Sequence, residues 1–148
     1  MNAARRARRL DIVADLARHR RLAAERALAD AKRDLAARRE TYEQLCGFRG
    51  EYDSPARRGR AGALSPGALQ DYDRFRARLD IAVTEQARQL QEAEGAARAL
   101  EQALADAAQR SESLEAAVDH YQRVASRESL RREQQLIDEI ATLNATRR

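Results

Sequence analysis

Apolar residues recur in alternating steps of three and four along two long stretches of this chain, with a short irregular break between them. In the first stretch one row runs Leu10, Ala17, Ala24, Ala31, Arg38, Leu45, and a second runs Ala14, Arg21, Leu28, Leu35, Tyr42. Together they form an a/d seam of about five heptads, which predicts a helix over about 5–52. The second stretch runs Leu69, Tyr72, Arg76, Leu79, Val83, Gln86, Leu90, Ala93, Ala97, Leu100, Leu104, Ala107, Ser111, Leu114, Val118, Tyr121, Ala125. That is about eight heptads, and it predicts a helix over about 65–144. After Ala125 the phase slips, and the apolar positions become Leu130, Leu136, Ile137, Ile140 and Leu143.

The break carries its own signals. Gly47 and Gly50 each cost about 1 kcal/mol relative to alanine in a helix, so the first helix is expected to fray or bend there. Ser54 precedes Pro55, which drives it out of helical geometry and ends the helix. Residues 56–64 have no period and read as a mobile loop, and Ser65-Pro66 then opens the second helix with a serine cap and a proline in the first turn. The prediction is an all-α fold in one unit: an antiparallel coiled-coil hairpin whose second helix is the longer. At 1.5 Å per residue the arms measure roughly 70 and 120 Å. Reversal near residue 59 lets the first arm cover the second to around residue 113 and leaves an overhanging apolar stripe for a partner.

Composition supports long helices over a globular core. Charged residues make up 35% of the 148 residues, aromatics 4%, and tryptophan is absent. The net charge of +4 is almost wholly arginine, with Lys32 the single lysine, and acidic residues are interleaved nearly one for one. Such a balance reads as a solvated helix face rather than a nucleic-acid footprint, and no specific nucleic-acid partner is expected. Cys46 stands alone, so no disulfide closes within the chain. His19 and His120 have no second ligand at metal spacing, and no glycine-rich phosphate loop is present. Neither an enzyme, a cofactor nor a metal is expected. No apolar run reaches the ~18 residues of a membrane span, and the arginine-rich start lacks the apolar run of a secretory signal. A soluble intracellular protein is expected.

Five of the six aromatic residues fall between Thr41 and Gln86. Tyr42 and Tyr72 sit on seam positions, whereas Phe48, Tyr52 and Phe75 exceed what a two-helix seam buries, which is the signature of a binding surface. The stretch Phe48-Arg49-Gly50-Glu51-Tyr52, the basic glycine-containing break, and the spacing Tyr72, Phe75, Leu79, Ala82, Gln86 resemble the flagellar export protein family FliJ. That resemblance implies a component of the flagellar type III export apparatus, at the cytoplasmic face of the inner membrane. It implies as partners the hexameric export ATPase (FliI-like), into whose ring the coiled coil inserts as a stalk, the export gate protein (FlhA-like), and export chaperones. The implied gate-docking face is Thr41, Leu45, Phe48, Tyr52, Phe75, Leu79, Ala82 and Gln86; Thr41, Phe48 and Gln86 stand where the family pattern has Gln, Tyr and His. The implied stalk comprises Leu10, Ala17, Ala24, Leu28, Leu114, Val118, Tyr121, Ile137 and Ile140. The alternatives are the stalk protein of a virulence injectisome, a generic coiled-coil scaffold and a basic hairpin that binds nucleic acid.

Overall fold

The computed structural model describes residues 2–147 and contains three helices: α1 Ala3–Tyr52, α2 Pro55–Ala61 and α3 Pro66–Thr146. The fold is all-α, with α1 packed antiparallel on the longer α3. Ala, Arg, Leu, Glu and Gln, the strongest helix formers, fill both long elements, and no proline interrupts them after the first turn. Asn2 starts α1, its side-chain oxygen accepting from the Ala4 N–H at 3.0 Å. Ser65 starts α3 in the same way, accepting from the Ala68 N–H at 3.3 Å with Pro66 following.

Two expectations for the break are corrected. Residues 55–61 are helical, not a loop. Ser54 has extended backbone geometry and its side chain accepts from the Arg57 N–H at 3.4 Å, so Ser54-Pro55 both ends α1 and caps α2. The same dipeptide opens α3, so at both places it starts a helix. Secondly, α1 runs unbroken through Gly47 and Gly50 to Tyr52. No glycine among the described residues has positive φ, so the reversal uses none of glycine's special conformations. Leu45 and Tyr52, on either side of the pair, are half-buried against the rest of the fold.

Two compact units are distinguished. One comprises Glu25–Ala103; the other is built from the chain's two ends, up to Ala24 and from Leu104. In the first, Arg38 donates to the Gln89 side-chain oxygen at 2.8 Å, and the Tyr52 and Phe75 rings lie 4.7 Å apart. In the second, Arg18 and Arg21 pair across the helices with Glu115 and Glu112, each at 3.7 Å, and Arg6 lies over the Tyr121 ring at 5.7 Å. The last contact corrects the expected extent of pairing. Reversal at residue 59 would set Arg6 near residue 112, but α2 and the turns around it occupy 53–65 and displace the register. Ala3 and Ala7 are buried, and the cleft beside Ala4 and Ala7 is lined by Gln122 and Ala125, so pairing continues to about Ala125 rather than 113.

The predicted seam is the observed one. Ala14, Ala17 and Leu28 on α1 and Leu79, Val83, Ala97, Ser111 and Val118 on α3 are buried, and the remaining seam positions except Leu69 are half-buried. Burying each of the larger aliphatic side chains contributes about 1.5–3 kcal/mol. Alanines fill much of the rest. Ser111 is 1% exposed and its hydroxyl has no hydrogen-bond partner. No helix is long and apolar enough to cross a membrane, and no cluster of metal-ligating side chains occurs among the described residues.

Candidate functional site

The site is best built from the register of the Glu25–Ala103 unit. Arg38 faces Gln89 and Tyr52 faces Phe75, so fourteen residues along α1 match fourteen back along α3. Between these two fixed points the same register sets Thr41 opposite Gln86, Leu45 opposite Ala82 and Phe48 opposite Leu79. The eight residues of the expected docking face therefore form four successive rungs on one flank of the helix pair. None of the eight is charged. On the other flank Arg39 pairs with Glu94 at 3.7 Å.

Exposure divides the eight. Phe48 and Phe75 are 53% and 45% exposed, and Thr41 is also open to solvent. Leu45, Tyr52, Ala82 and Gln86 are half-buried, while Leu79, at 8%, belongs to the seam and supports the ridge from behind. The ridge thus offers two phenylalanine rings above a packed aliphatic base.

Its end is fixed by aromatic and polar contacts. Tyr52 contacts both the Phe75 ring and the Arg57 guanidinium, each at 4.7 Å, which ties α2 to the ridge through a cation–π contact. Tyr72, with its ring centroid 5.9 Å from that of Tyr52, donates its hydroxyl hydrogen bond to the Tyr52 carbonyl. That carbonyl is one of the acceptors left unpaired at the end of α1, so the Tyr72 side chain serves as a cap. Asp53 and Arg76, both about two-thirds buried, form an ion pair at 2.5 Å; it is a charge contact rather than an aligned hydrogen bond. The heptad spacing places Tyr72 and Arg76 in the seam and gives Arg57 and Asp53 no part. Only the unexpected α2 brings Arg57 onto Tyr52.

The other end of the ridge meets a polar network. Arg88 donates to Glu85 through Nη2 at 2.5 Å and Nε at 3.1 Å, and Gln89 donates to the same carboxylate at 3.1 Å. The Arg88 bonds and then the Gln89 bond hold the Glu85 carboxyl down at about 2, and the Glu85 bonds raise Arg88 in turn. Arg88 also reaches Glu92, and Arg38 bridges Gln89 to Asp34 at 2.9 Å. Beside the ridge, the Tyr42 phenol is pushed up by its hydrogen bond with the Cys46 side chain and by that group's charge.

The residues expected to form a stalk divide differently. In the unit built from the chain's ends, Ala17 and Val118 are buried and Leu10, Ala24, Leu114 and Tyr121 half-buried, all facing the partner helix. Leu28, in the other unit, is buried as well. Only Ile137 and Ile140 are open, at 59% and 51%. Sequence reading missed Ile12, Val13 and Leu16, which are exposed on α1 away from the seam. Their i, i+1, i+4 spacing was the available signal, masked by the stronger alanine row.

An all-α helix pair with an alanine seam and an uncharged aromatic ridge defines a coiled-coil protein. A family model described as flagellar FliJ protein matches residues 6–148, and the chain belongs to that family. It is accordingly a component of the flagellar export apparatus. Comparison with curated proteins and with solved structures gave no match.

Proposed function

We propose that this chain links two parts of the flagellar export apparatus. The ridge from Thr41 to Tyr52 and from Phe75 to Gln86 docks on the cytoplasmic domain of an FlhA-like export gate, at the inner face of the membrane. The paired terminal segments act as a stalk in the ring of a FliI-like export ATPase and promote its assembly and hydrolysis, and the chain assists in handling export chaperones. The observation that carries this reading is the ridge: four uncharged rungs in one register, with Phe48 and Phe75 left open between ordered ends. Exposed aromatics over a packed base supply the desolvated anchors that dominate binding energy. For the stalk, an alanine seam with arginines outside it gives a weakly apolar surface that does not lock to one subunit.

The gate contact is tested with Phe48→Ala and Phe75→Ala, which remove rings that the seam does not need. Each is expected to weaken binding to the gate's cytoplasmic domain at least tenfold, a loss of about 1.4 kcal/mol or more, with helicity unchanged by circular dichroism. Wild-type affinity in both variants refutes the docking assignment. The stalk role is tested by adding the purified protein to its cognate ATPase: faster hydrolysis or hexamer formation is expected, and the absence of both refutes the role.

A further inference from the structure

From Ser129 to Arg147 every position of the chain is exposed. Five large aliphatic residues stand open within that run: Leu130 at 65%, Leu136 at 57%, Ile137 at 59%, Ile140 at 51% and Leu143 at 61%. On helical spacing they fall within one arc of about 140°. Arg132 and Glu139 lie together along one edge of that arc, basic residue first and acidic residue seven positions later.

We infer that this stripe pairs antiparallel with the same stripe of a second copy of the chain. A two-fold axis between positions 136 and 137 matches four of the five with one another and sets Ile140 opposite Glu133. Leu130 then faces Leu143 of the second copy, Leu136 faces Ile137, and Arg132 lies beside Glu139. Every contact occurs twice, as an isologous interface requires. Parallel pairing would set that edge against the opposite, uncharged edge near Gln134 and Ala141 and form no such ion pair, so charge favours the antiparallel form. A foreign helix would have to supply both the apolar spacing and the opposite charge order, whereas a second copy carries both already.

Five aliphatic side chains per copy make a patch smaller than the ~1,200–2,000 Å² that stable specific interfaces bury. The dimer is therefore weak and reversible. It uses Ile137 and Ile140, so self-pairing and the proposed contact of these residues with the ATPase exclude each other.

The test is sedimentation equilibrium of the full chain at low salt, from ~1 to ~300 µM, a range that brackets dissociation constants typical of weak association. A monomer–dimer equilibrium is expected, weakened at least tenfold by Ile137→Glu, by Arg132→Glu alone and by Glu139→Arg alone. The double variant Arg132→Glu/Glu139→Arg regains dimerisation, because each swapped charge again meets its opposite. A monomer at every concentration overturns the inference. So does a dimer indifferent to Ile137→Glu, or a double variant no better than the singles. No ATPase or gate enters the measurement, so its failure leaves the proposed function standing.

Discussion

Ser111 is buried in the middle of an otherwise apolar seam, and its hydroxyl finds no partner. A hydroxyl taken from water without a compensating bond costs about 1–3 kcal/mol. Replacing it by alanine removes that cost and adds about 0.5 kcal/mol of helix propensity. One heavy atom is lost, leaving a void of ~10–15 Å³ worth about 0.3 kcal/mol. Ser111→Ala is therefore expected to stabilise the protein by about 1–3 kcal/mol, raising Tm by about 3–9 °C. Urea unfolding followed by ellipticity at 222 nm measures this, with the midpoint rising and the slope unchanged. Ser113→Ala, two residues on and exposed, provides the comparison. It carries the propensity gain alone, so the difference between the two variants isolates the buried hydroxyl. Equal effects of the two substitutions refute the reasoning, since they mean that the Ser111 hydroxyl is bonded in solution.

Gly47 and Gly50 are helical and a Cβ at either would meet nothing within 4 Å. Gly47→Ala and Gly50→Ala should each stabilise by about 1 kcal/mol in the same unfolding assay, and a loss of stability in either would contradict the continuous helix. Glu85 should titrate with a midpoint near 2, read from its side-chain carboxyl carbon by NMR. Because folding lowers this value from 4.5, the carboxylate's stabilising contribution is complete above 4.5 and is lost as pH falls toward 2. Arg88→Gln should return the midpoint toward that of an ordinary glutamate, and an unchanged midpoint would exclude Arg88 as the main cause.

The a/d seam was readable position by position because a heptad repeat states which residues face the partner helix. Even Arg21, Arg38 and Ser111 were placed there by spacing alone, against their polarity, and all three lie there. The exposed state of Phe48 and Phe75 followed from the same logic, since neither falls on the seam. Less was legible where structure depends on how two distant segments meet. The register rests on how many residues the reversal consumes, and a helical α2 in place of a loop moved it enough to pair Arg6 with Tyr121. Ser54-Pro55 carried the necessary signal but admits two meanings, a stop and a start, and local sequence does not choose between them. The capping role of Tyr72 was invisible because its seam position already accounted for it. Leu79 belongs to both patterns, the seam spacing and the family ridge, and packing places it in the seam beneath the two phenylalanines.

The common register of the four rungs has a consequence for how such chains can change length. A single residue inserted in α1 between Arg38 and Tyr52 would turn every following side chain by about 100° and carry Phe48 off the flank that Phe75 occupies. An equal insertion in α3 between Phe75 and Gln89 would not repair this unless both added a whole heptad. Relatives that keep the ridge should therefore gain or lose residues in the two arms together and in sevens, whereas residues 53–65, outside the rungs, remain the place for unmatched variation.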